Sequence, residues 1–92
     1  MTIELFKHKE LRKLFEDGNS RKIGKRFHAR LFELLDIVNA ATSFKDMVGI
    51  ADFHRLKGNR RGECAMHVSG NWVLTFRFKD GEATDLNFED YH

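Results

Sequence analysis

The sequence predicts an α+β fold in which a short N-terminal strand and two helices pack on one face of a small antiparallel sheet. Two observations predict this fold. Apolar residues recur at steps of three and four before residue 42, and at steps of two after Gly62. The chain has 92 residues, of which 41% are hydrophobic, and this suits one core and a single domain over residues 1–92.

The first half predicts an edge strand and two amphipathic helices. Residues 3–6 are apolar enough for the strand, and residues 8–17 have helical spacing up to Gly18-Asn19, which should end the helix. Ser20 is expected to cap a second helix that continues to about Ala41. The apolar stripe of the second helix comprises Ile23, Phe27, Leu31, Leu34 and Val38. Each helix therefore needs an apolar surface to pack against.

The second half predicts a three-stranded meander. Apolar residues alternate over residues 64–68, 72–78 and 84–88, and the turn sequences Ser69-Gly70-Asn71 and Asp80-Gly81 separate these runs. Because a slip of one residue would turn every side chain to the wrong face, Val68 should pair with Trp72 and Phe78 with Thr84. Both turns would then contain three residues, and Trp72 would face the core.

The same register predicts what the opposite face of the sheet carries. His67 should lie opposite Val73, and Arg77 should lie between Glu63 and Asp85. The side chains expected on this face, turned to solvent or to a ligand, are His67, Thr75, Arg77 and Asn87.

Positive charge is concentrated in two blocks of a chain whose net charge is only +2. Residues 18–30 hold five cations and no acid, and residues 54–79 hold six cations and one acid. Two such blocks favour local attraction to a polyanion, and the alternative is that each is simply a solvated face.

Several classes of protein are disfavoured by the sequence. The single cysteine, Cys64, excludes an internal disulfide or a zinc site of several cysteines, and the five histidines lack close ligand spacing. No apolar run approaches the roughly 18 residues that span a bilayer, and residues 1–6 do not form a signal peptide. We therefore expect a cytoplasmic protein without a membrane segment, metal or other cofactor.

Phosphodiester chemistry on RNA fits these residue types. RNA carries its own nucleophile, the 2′-hydroxyl, so that an enzyme needs only a base, an acid and cations for the phosphorane charge. Histidine can serve as the acid or the base near neutral pH. The candidate cations are Lys57, Arg60, Arg61 and Arg77.

Four segments of the chain resemble a known family. They are Leu56-Lys57-Gly58-Asn59-Arg60-Arg61-Gly62, Asn71-Trp72, Phe76-Arg77-Phe78 and Glu89-Asp90-Tyr91-His92. Together they resemble the HigB toxins of the RelE/ParE superfamily. Over residues 54–92 the resemblance is one of sequence, and before residue 54 it is only one of the order of helices and strands. The resemblance implies helices on one face of an antiparallel sheet, with the active site on the other.

The resemblance also implies an activity and its residues. It implies an endoribonuclease that cuts messenger RNA in the ribosomal A site through 2′-hydroxyl attack, leaving a 2′,3′-cyclic phosphate and a 5′-hydroxyl. His54 and Lys57 match the family's catalytic histidine and lysine, and Tyr91 and His92 match its C-terminal pair. His92 would transfer a proton, Lys57 would support phosphate charge, and His54 would orient or exchange a proton. Which histidine is the acid stays open.

One position departs from the family pattern. Many relatives have arginine directly after the tryptophan, where it is expected to hold the scissile phosphate, and this chain has Val73. Loss of such a donor can lower a rate by about 10²–10³-fold. His67, opposite Val73, is the nearer substitute, while Arg77 could equally form a cross-strand ion pair. The phosphate-binding candidates are therefore Arg60, Arg61, His67 and Arg77.

The partners follow from the same resemblance. A HigA-like helix-turn-helix antitoxin would neutralise the toxin, DNA would be contacted only through that antitoxin, and the basic blocks would dock on ribosomal RNA. Two alternatives are a ParE-like toxin that acts on gyrase and a catalytically weakened antitoxin-binding homologue. The presence of His54, Lys57, Tyr91 and His92 argues against the first, and only Val73 supports the second.

Overall fold

Two helices pack on one face of a four-stranded antiparallel sheet, in a computed structural model that describes residue 3 and residues 5–91. The helices are α1 (Lys9–Asp17) and α2 (His28–Ala40), and the strands are β1 (His54–Arg55), β2 (Glu63–Ser69), β3 (Trp72–Lys79) and β4 (Glu82–Asp90). The strands lie side by side in chain order. This arrangement confirms the predicted α+β class.

Helix α1 has the predicted bounds to within a residue. The Nδ1 atom of His8 accepts a hydrogen bond from the Leu11 main-chain N at 3.1 Å and so caps the first turn. Gly18 ends the helix in the left-handed region, with φ 77°, and its N–H donates to the carbonyl of Leu14. Leu11 and Leu14 are fully buried, as their spacing requires.

The prediction that Ser20 caps the second helix is wrong. Ser20 is buried, and its hydroxyl donates to Glu10 Oε1 at 2.8 Å, which fastens the segment after α1 back onto that helix. Gly24 adopts an extended conformation (ψ 137°), and therefore a helix cannot run through it. A single 3₁₀ turn, Lys25–Phe27, then leads into α2. Ile23 and the other members of the predicted apolar stripe are nevertheless buried, so the prediction of the stripe is confirmed.

The N-terminal segment runs along the edge of β4. Ile3 and Phe6 form isolated parallel bridges to Ala83 and Leu86. The Leu86 carbonyl accepts hydrogen bonds from the main-chain N–H groups of both Lys7 and His8. In the described residues the predicted edge strand therefore appears as two isolated bridges, and residue 4 lies outside the described residues.

The core lies between the helices and the predicted apolar face of the sheet. Buried side chains from both layers meet there: Leu11, Leu14, Leu31, Leu34, Leu35, Val38, Met66, Leu74, Phe76 and Leu86. Trp72 packs against this core with its ring stacked on Phe88 at a centroid distance of 4.7 Å, and Phe27 lies 5.7 Å away. The prediction that Trp72 faces the core is confirmed.

Both hairpin turns contain two residues instead of the predicted three. In the β3–β4 turn, Lys79 pairs with Glu82, and Asp80 and Gly81 have φ of 53° and 78°. Positive φ at both central residues is the type I′ pattern, which matches the right-handed twist of the strands. The expected partner of Phe78, Thr84, is therefore wrong, and Phe78 pairs with Ala83.

A β-bulge reconciles the tight turn with the apolar pattern. Two residues of β4, Asp85 and Leu86, occupy the interval that Phe76 alone fills on β3, and Asp85 has φ 54°. The extra residue restores the apolar face beyond it. As a result Arg77 pairs in register with Thr84, while its side chain still reaches Asp85, with Nε and Oδ2 3.6 Å apart.

A second irregularity lies at the β2–β3 turn. Ser69 pairs with Trp72, and the register shifts between His67 and Ser69, so that Val68 does not pair with Trp72 as predicted. The predicted pairs of His67 with Val73 and of Glu63 with Arg77 are confirmed.

Strand β1 was not predicted. His54 and Arg55 pair with Ala65 and Cys64 of β2, which makes the sheet four-stranded. A strand of two residues is too short to show an alternation in the sequence.

Candidate functional site

The face of the sheet away from the helices is partly covered by the loop that follows β1. His67 and Arg77 are exposed on it and Asn87 is half-buried, as predicted. Thr75 was expected to be displayed as well, but it has no exposed surface. The cause is Arg60, which reaches from the 3₁₀ turn Gly58–Arg60 across this face.

Arg60 joins two strands through paired hydrogen bonds. Its Nε and Nη2 donate to the two oxygens of Glu63 at 3.1 and 2.8 Å, and its Nη1 and Nη2 donate to those of Glu89 at 2.7 and 2.8 Å. Glu63 lies on β2 and Glu89 on β4, so one guanidinium spans β3 between them. Such bidentate contacts are the strongest form of this interaction. We call Arg60, Glu63, Glu89 and Thr75 the Arg60 network.

The charges of this network stabilise one another. The Arg60 guanidinium, with hydrogen bonds from Thr75 and Asn87, lowers the pKa of Glu89 to about 2. The Thr75 hydroxyl donates to Glu89 Oε2 at 2.6 Å. Hydrogen bonds to Glu89 and then Glu63 raise the pKa of Arg60 above its usual value, and Arg60 in turn lowers the pKa of Glu63. Arg60, a predicted phosphate contact, is therefore placed between two carboxylates.

His54 is held at the exposed edge of the sheet in a defined tautomer. Its Nδ1 lies 2.9 Å from the Asp52 carbonyl oxygen. Because a carbonyl oxygen only accepts, Nδ1 must carry the proton, and Nε2 is then the acceptor atom of the neutral ring. Asp52 and the preceding Ala51 have φ of 54° and 51°, an uncommon backbone conformation for such residues. This turn aims the Asp52 carbonyl back at the imidazole.

His67 is tied to the same turn. Its main-chain N–H donates to the Ala51 carbonyl at 2.7 Å, and its Nε2 donates to the Gly70 carbonyl at 3.0 Å. Its Nδ1 is consequently the acceptor of the neutral ring. Since His67 lies directly opposite Val73, an imidazole stands beside the position where the resemblance led us to expect an arginine.

Tyr91 lies at the end of the sheet that carries the β2–β3 turn. Its main-chain N–H donates to the Asn71 carbonyl at 2.7 Å, and 45% of the residue is exposed. The Arg60 guanidinium carbon is 5.8 Å from the centre of its ring. The Arg60 network therefore also positions Tyr91. His92, the other predicted member of this pair, lies outside the described residues.

The remaining predicted residues lie at the opposite end of the sheet. Lys57, Arg61 and Arg77 line one cleft. Arg77 is four residues from Val73 along β3, a distance of about 13 Å at ~3.3 Å per residue. The structure therefore groups Lys57, Arg61 and Arg77 together, and it places His67, Tyr91 and Val73 towards the other end.

Gly62 is required by its backbone conformation, because the exposed end of the Arg77 side chain, which a Cβ there would meet, can move away. A Cβ atom at Gly62 would lie 2.7 Å from Arg77 Nη1, and its φ of +99° is strained for any other residue. We expect Gly62→Ala to lower the free energy of unfolding by about 1–3 kcal/mol in urea titrations. Gly24→Ala is the matched control, because Gly24 has φ −54° and a Cβ there would make only ordinary contacts. Equal stability of the two variants would contradict this reading.

Sequence reasoning missed the groups that hold the site together. Glu63, Thr75 and Glu89 face the same side of the sheet by alternation, and that pattern could have indicated a bond from the basic loop. The turn at Ala51-Asp52 carries little sequence signal, because aspartate tolerates positive φ but alanine is not typical of it.

Two features are absent from the described part of the chain. Among residue 3 and residues 5–91, no helix is both long and apolar enough to cross a membrane. In the same part of the chain, no three His, Cys, Asp or Glu side chains cluster in a way that could hold a metal ion.

The helix layer, the antiparallel sheet and the basic loop across its outer face together define the fold of RelE-like toxins. A family model described as the RelE-like toxin of the type II toxin-antitoxin system HigB matches residues 4–92. The chain is 38% identical to Endoribonuclease HigB of Proteus vulgaris, over 98% of this chain and 99% of that protein. It is 33% identical to Toxin HigB-1 of Vibrio cholerae serotype O1, over 94% of each chain. The chain belongs to the HigB-like family of type II toxins.

Proposed function

We propose that this toxin is a metal-independent endoribonuclease that cuts messenger RNA on the ribosome and thereby stops translation. The observation that carries the proposal is the similarity, over nearly the whole chain, to a protein named as an endoribonuclease. The exposed face with His54, His67 and Tyr91 supports it, because these groups suit proton transfer and contact with RNA.

The first step is attack of the RNA 2′-hydroxyl on the adjacent phosphorus. His54 Nε2 removes the hydroxyl proton, since Nδ1 is engaged by the Asp52 carbonyl. His92, matched by resemblance, protonates the 5′ oxygen that leaves, and Lys57 supports the negative charge of the phosphorane. The products are a 2′,3′-cyclic phosphate and a 5′-hydroxyl end.

His67 takes over part of the phosphate contact at the position of Val73. Its imidazole lies on the neighbouring strand directly opposite Val73, and a protonated imidazole can donate to a phosphate oxygen. We expect His67→Ala to slow RNA cleavage by about tenfold or more, which is less than the ~10²–10³-fold loss of a full donor because His67 supplies only part of the contact. Initial rates on ribosomes programmed with a defined messenger would measure it. An unchanged rate would refute this role.

The partners belong to the same proposal. A type II toxin is paired with an antitoxin, which we propose to be a HigA-like helix-turn-helix protein that alone contacts DNA. The ribosome and its messenger are the targets, and the toxin acts in the cytoplasm.

The test is induced expression in a bacterium with primer extension on an abundant messenger, comparing the wild-type chain with His92→Ala. We expect growth arrest and in-frame cuts that disappear in the variant. Growth arrest without cuts would refute the ribonuclease and indicate a protein target such as gyrase. A soluble, folded wild-type protein that causes no arrest would mean that Val73 has silenced the toxin.

A further inference from the structure

A cationic cleft opens at the end of the sheet where β1 ends, β2 begins and β3 ends. Its volume is about 700 Å³. Among the described residues, no carboxylate lines the cleft, and five exposed cations do: Arg55, Lys57, Arg61, Arg77 and Lys79. Five positive charges around one cleft make a site for a phosphate backbone.

The cleft also has an apolar floor with a flat cation above it. Phe44 and Phe78 contribute to the floor, with their ring centroids 5.5 Å apart. The Arg55 guanidinium carbon lies 5.0 Å from the centre of the Phe44 ring. A planar guanidinium supported by an aromatic ring is a surface on which an unpaired nucleobase can stack.

The described acids beside the cleft do not neutralise it. Glu63 pairs in register with Arg77, but both of its carboxylate oxygens accept hydrogen bonds from Arg60. Asp85 lies 3.6 Å from Arg77, and both side chains are about half exposed, so this ion pair is weak in water. Glu82 pairs in register with Lys79 across the turn but does not line the cleft. A phosphate can therefore replace these contacts.

Arg77, which lines the cleft, is too far from the His67–Val73 pair for one phosphate to contact both. Arg77 is about 13 Å from Val73 along β3, at ~3.3 Å per residue. We propose that the cleft binds a stretch of the single-stranded messenger next to the cut, with its phosphates on Arg61, Arg77 and Lys79 and one base on Arg55, while Lys57 serves the scissile phosphate. The proposal rests on the proposed function and adds a second contact between the toxin and its RNA.

The test measures RNA binding separately from cleavage. The probe is a fluorescein-labelled 12-nucleotide 2′-O-methyl RNA, which lacks the attacking hydroxyl, followed by anisotropy between 50 and 200 mM salt. The cleft variant carries Arg55→Gln, Arg77→Gln and Lys79→Gln. The control variant carries Lys7→Gln, Lys9→Gln and Lys13→Gln, three exposed lysines that do not line the cleft. Circular dichroism establishes that both are folded.

We expect the cleft variant to bind at least tenfold more weakly at low salt. Its plot of log affinity against log salt should be shallower by about 2, because each phosphate contact on a single strand contributes about 0.7 to the slope. The control variant should bind like the wild type.

Each other outcome separates the two proposals. Equal binding by the cleft and control variants overturns the cleft and leaves the ribonuclease intact. A second outcome is that the cleft variant binds RNA more weakly than the control variant does, but the wild-type protein cuts no messenger on ribosomes. This outcome supports the cleft and refutes the ribonuclease. If the cleft variant binds this RNA normally but cosediments less with ribosomes than the control variant does, the cleft contacts ribosomal RNA, and the messenger proposal is overturned in that case too.

Discussion

Replacing His54 with alanine is expected to slow messenger cleavage by about 10²–10⁴-fold and to leave folding nearly unchanged. The side chain is exposed, and its ring donates a hydrogen bond to the Asp52 carbonyl, which water can satisfy after the change. The loss would therefore fall on proton transfer from the 2′-hydroxyl. Single-turnover cleavage on programmed ribosomes measures it, with urea titrations of the same preparations for stability.

His28→Gln is the matched control for this experiment. The His28 ring contacts the Ile23 carbonyl at 2.8 Å through Nε2, beside the start of α2 and away from the outer face of the sheet. We expect its cleavage rate to stay within about twofold of the wild type. A His54 variant that retained a tenth or more of the rate would show that another group removes the proton.

Replacing Arg60 with methionine should have the largest effect on stability, a loss of about 2–4 kcal/mol in the free energy of unfolding. The change leaves Glu63 and Glu89, which are mostly buried, without their shared cation and close to each other. It should also lower cleavage, because Tyr91 loses the guanidinium beside its ring. Urea titrations at pH 7 measure the first effect.

Arg61→Met is the control, because this neighbouring arginine is exposed and has no part in the Arg60 network. We expect its stability to be within about 0.5 kcal/mol of the wild type. If both variants unfolded alike, the paired carboxylate contacts of Arg60 would not stabilise the fold.

The Arg60 network also sets the response to acid. Glu89 has a pKa of about 2 in the folded protein against 4.5 for a typical glutamate, so its contribution is complete above about pH 5 and is lost as the pH falls through 2. The shift corresponds to roughly 3 kcal/mol, with contributions from other carboxylates added to it. Urea titrations from pH 7 to pH 2 should show this loss in the wild type. They should show a smaller one in Glu89→Gln, and parallel curves would contradict the assignment.

Much of the fold could be predicted because hydrophobic periods report which face of an element is buried. The stripe from Ile23 to Val38 correctly predicted the buried helical face, and the alternation after Gly62 correctly predicted three strands. The turns were not, since alternation alone cannot distinguish a three-residue turn from a two-residue turn followed by a bulge at Asp85. The two-residue turn forms because Asp80 and Gly81 both tolerate the positive φ that it requires.

The candidate site was predictable as a set of residues but less so as an arrangement. The resemblance singled out His54, Lys57 and Tyr91, whose roles stay predictions. The Arg60 network joins residues up to 29 positions apart through a loop whose path depends on the whole sheet. The tautomers of His54 and His67 are set by hydrogen bonds to main-chain carbonyls, and the positions of those carbonyls cannot be predicted from the identities of the side chains.

The contact between the N-terminal segment and β4 limits the order in which parts of the chain can fold. The hairpins of β2, β3 and β4 close short loops, whereas Ile3 and Phe6 meet Ala83 and Leu86 only after about 80 intervening residues have been ordered or looped out. During synthesis the two helices leave the ribosome long before the sheet that buries their apolar stripes. The nascent toxin therefore stays incomplete until β4 emerges, so the outer face of the sheet is assembled only after Glu82–Asp90 has been synthesised.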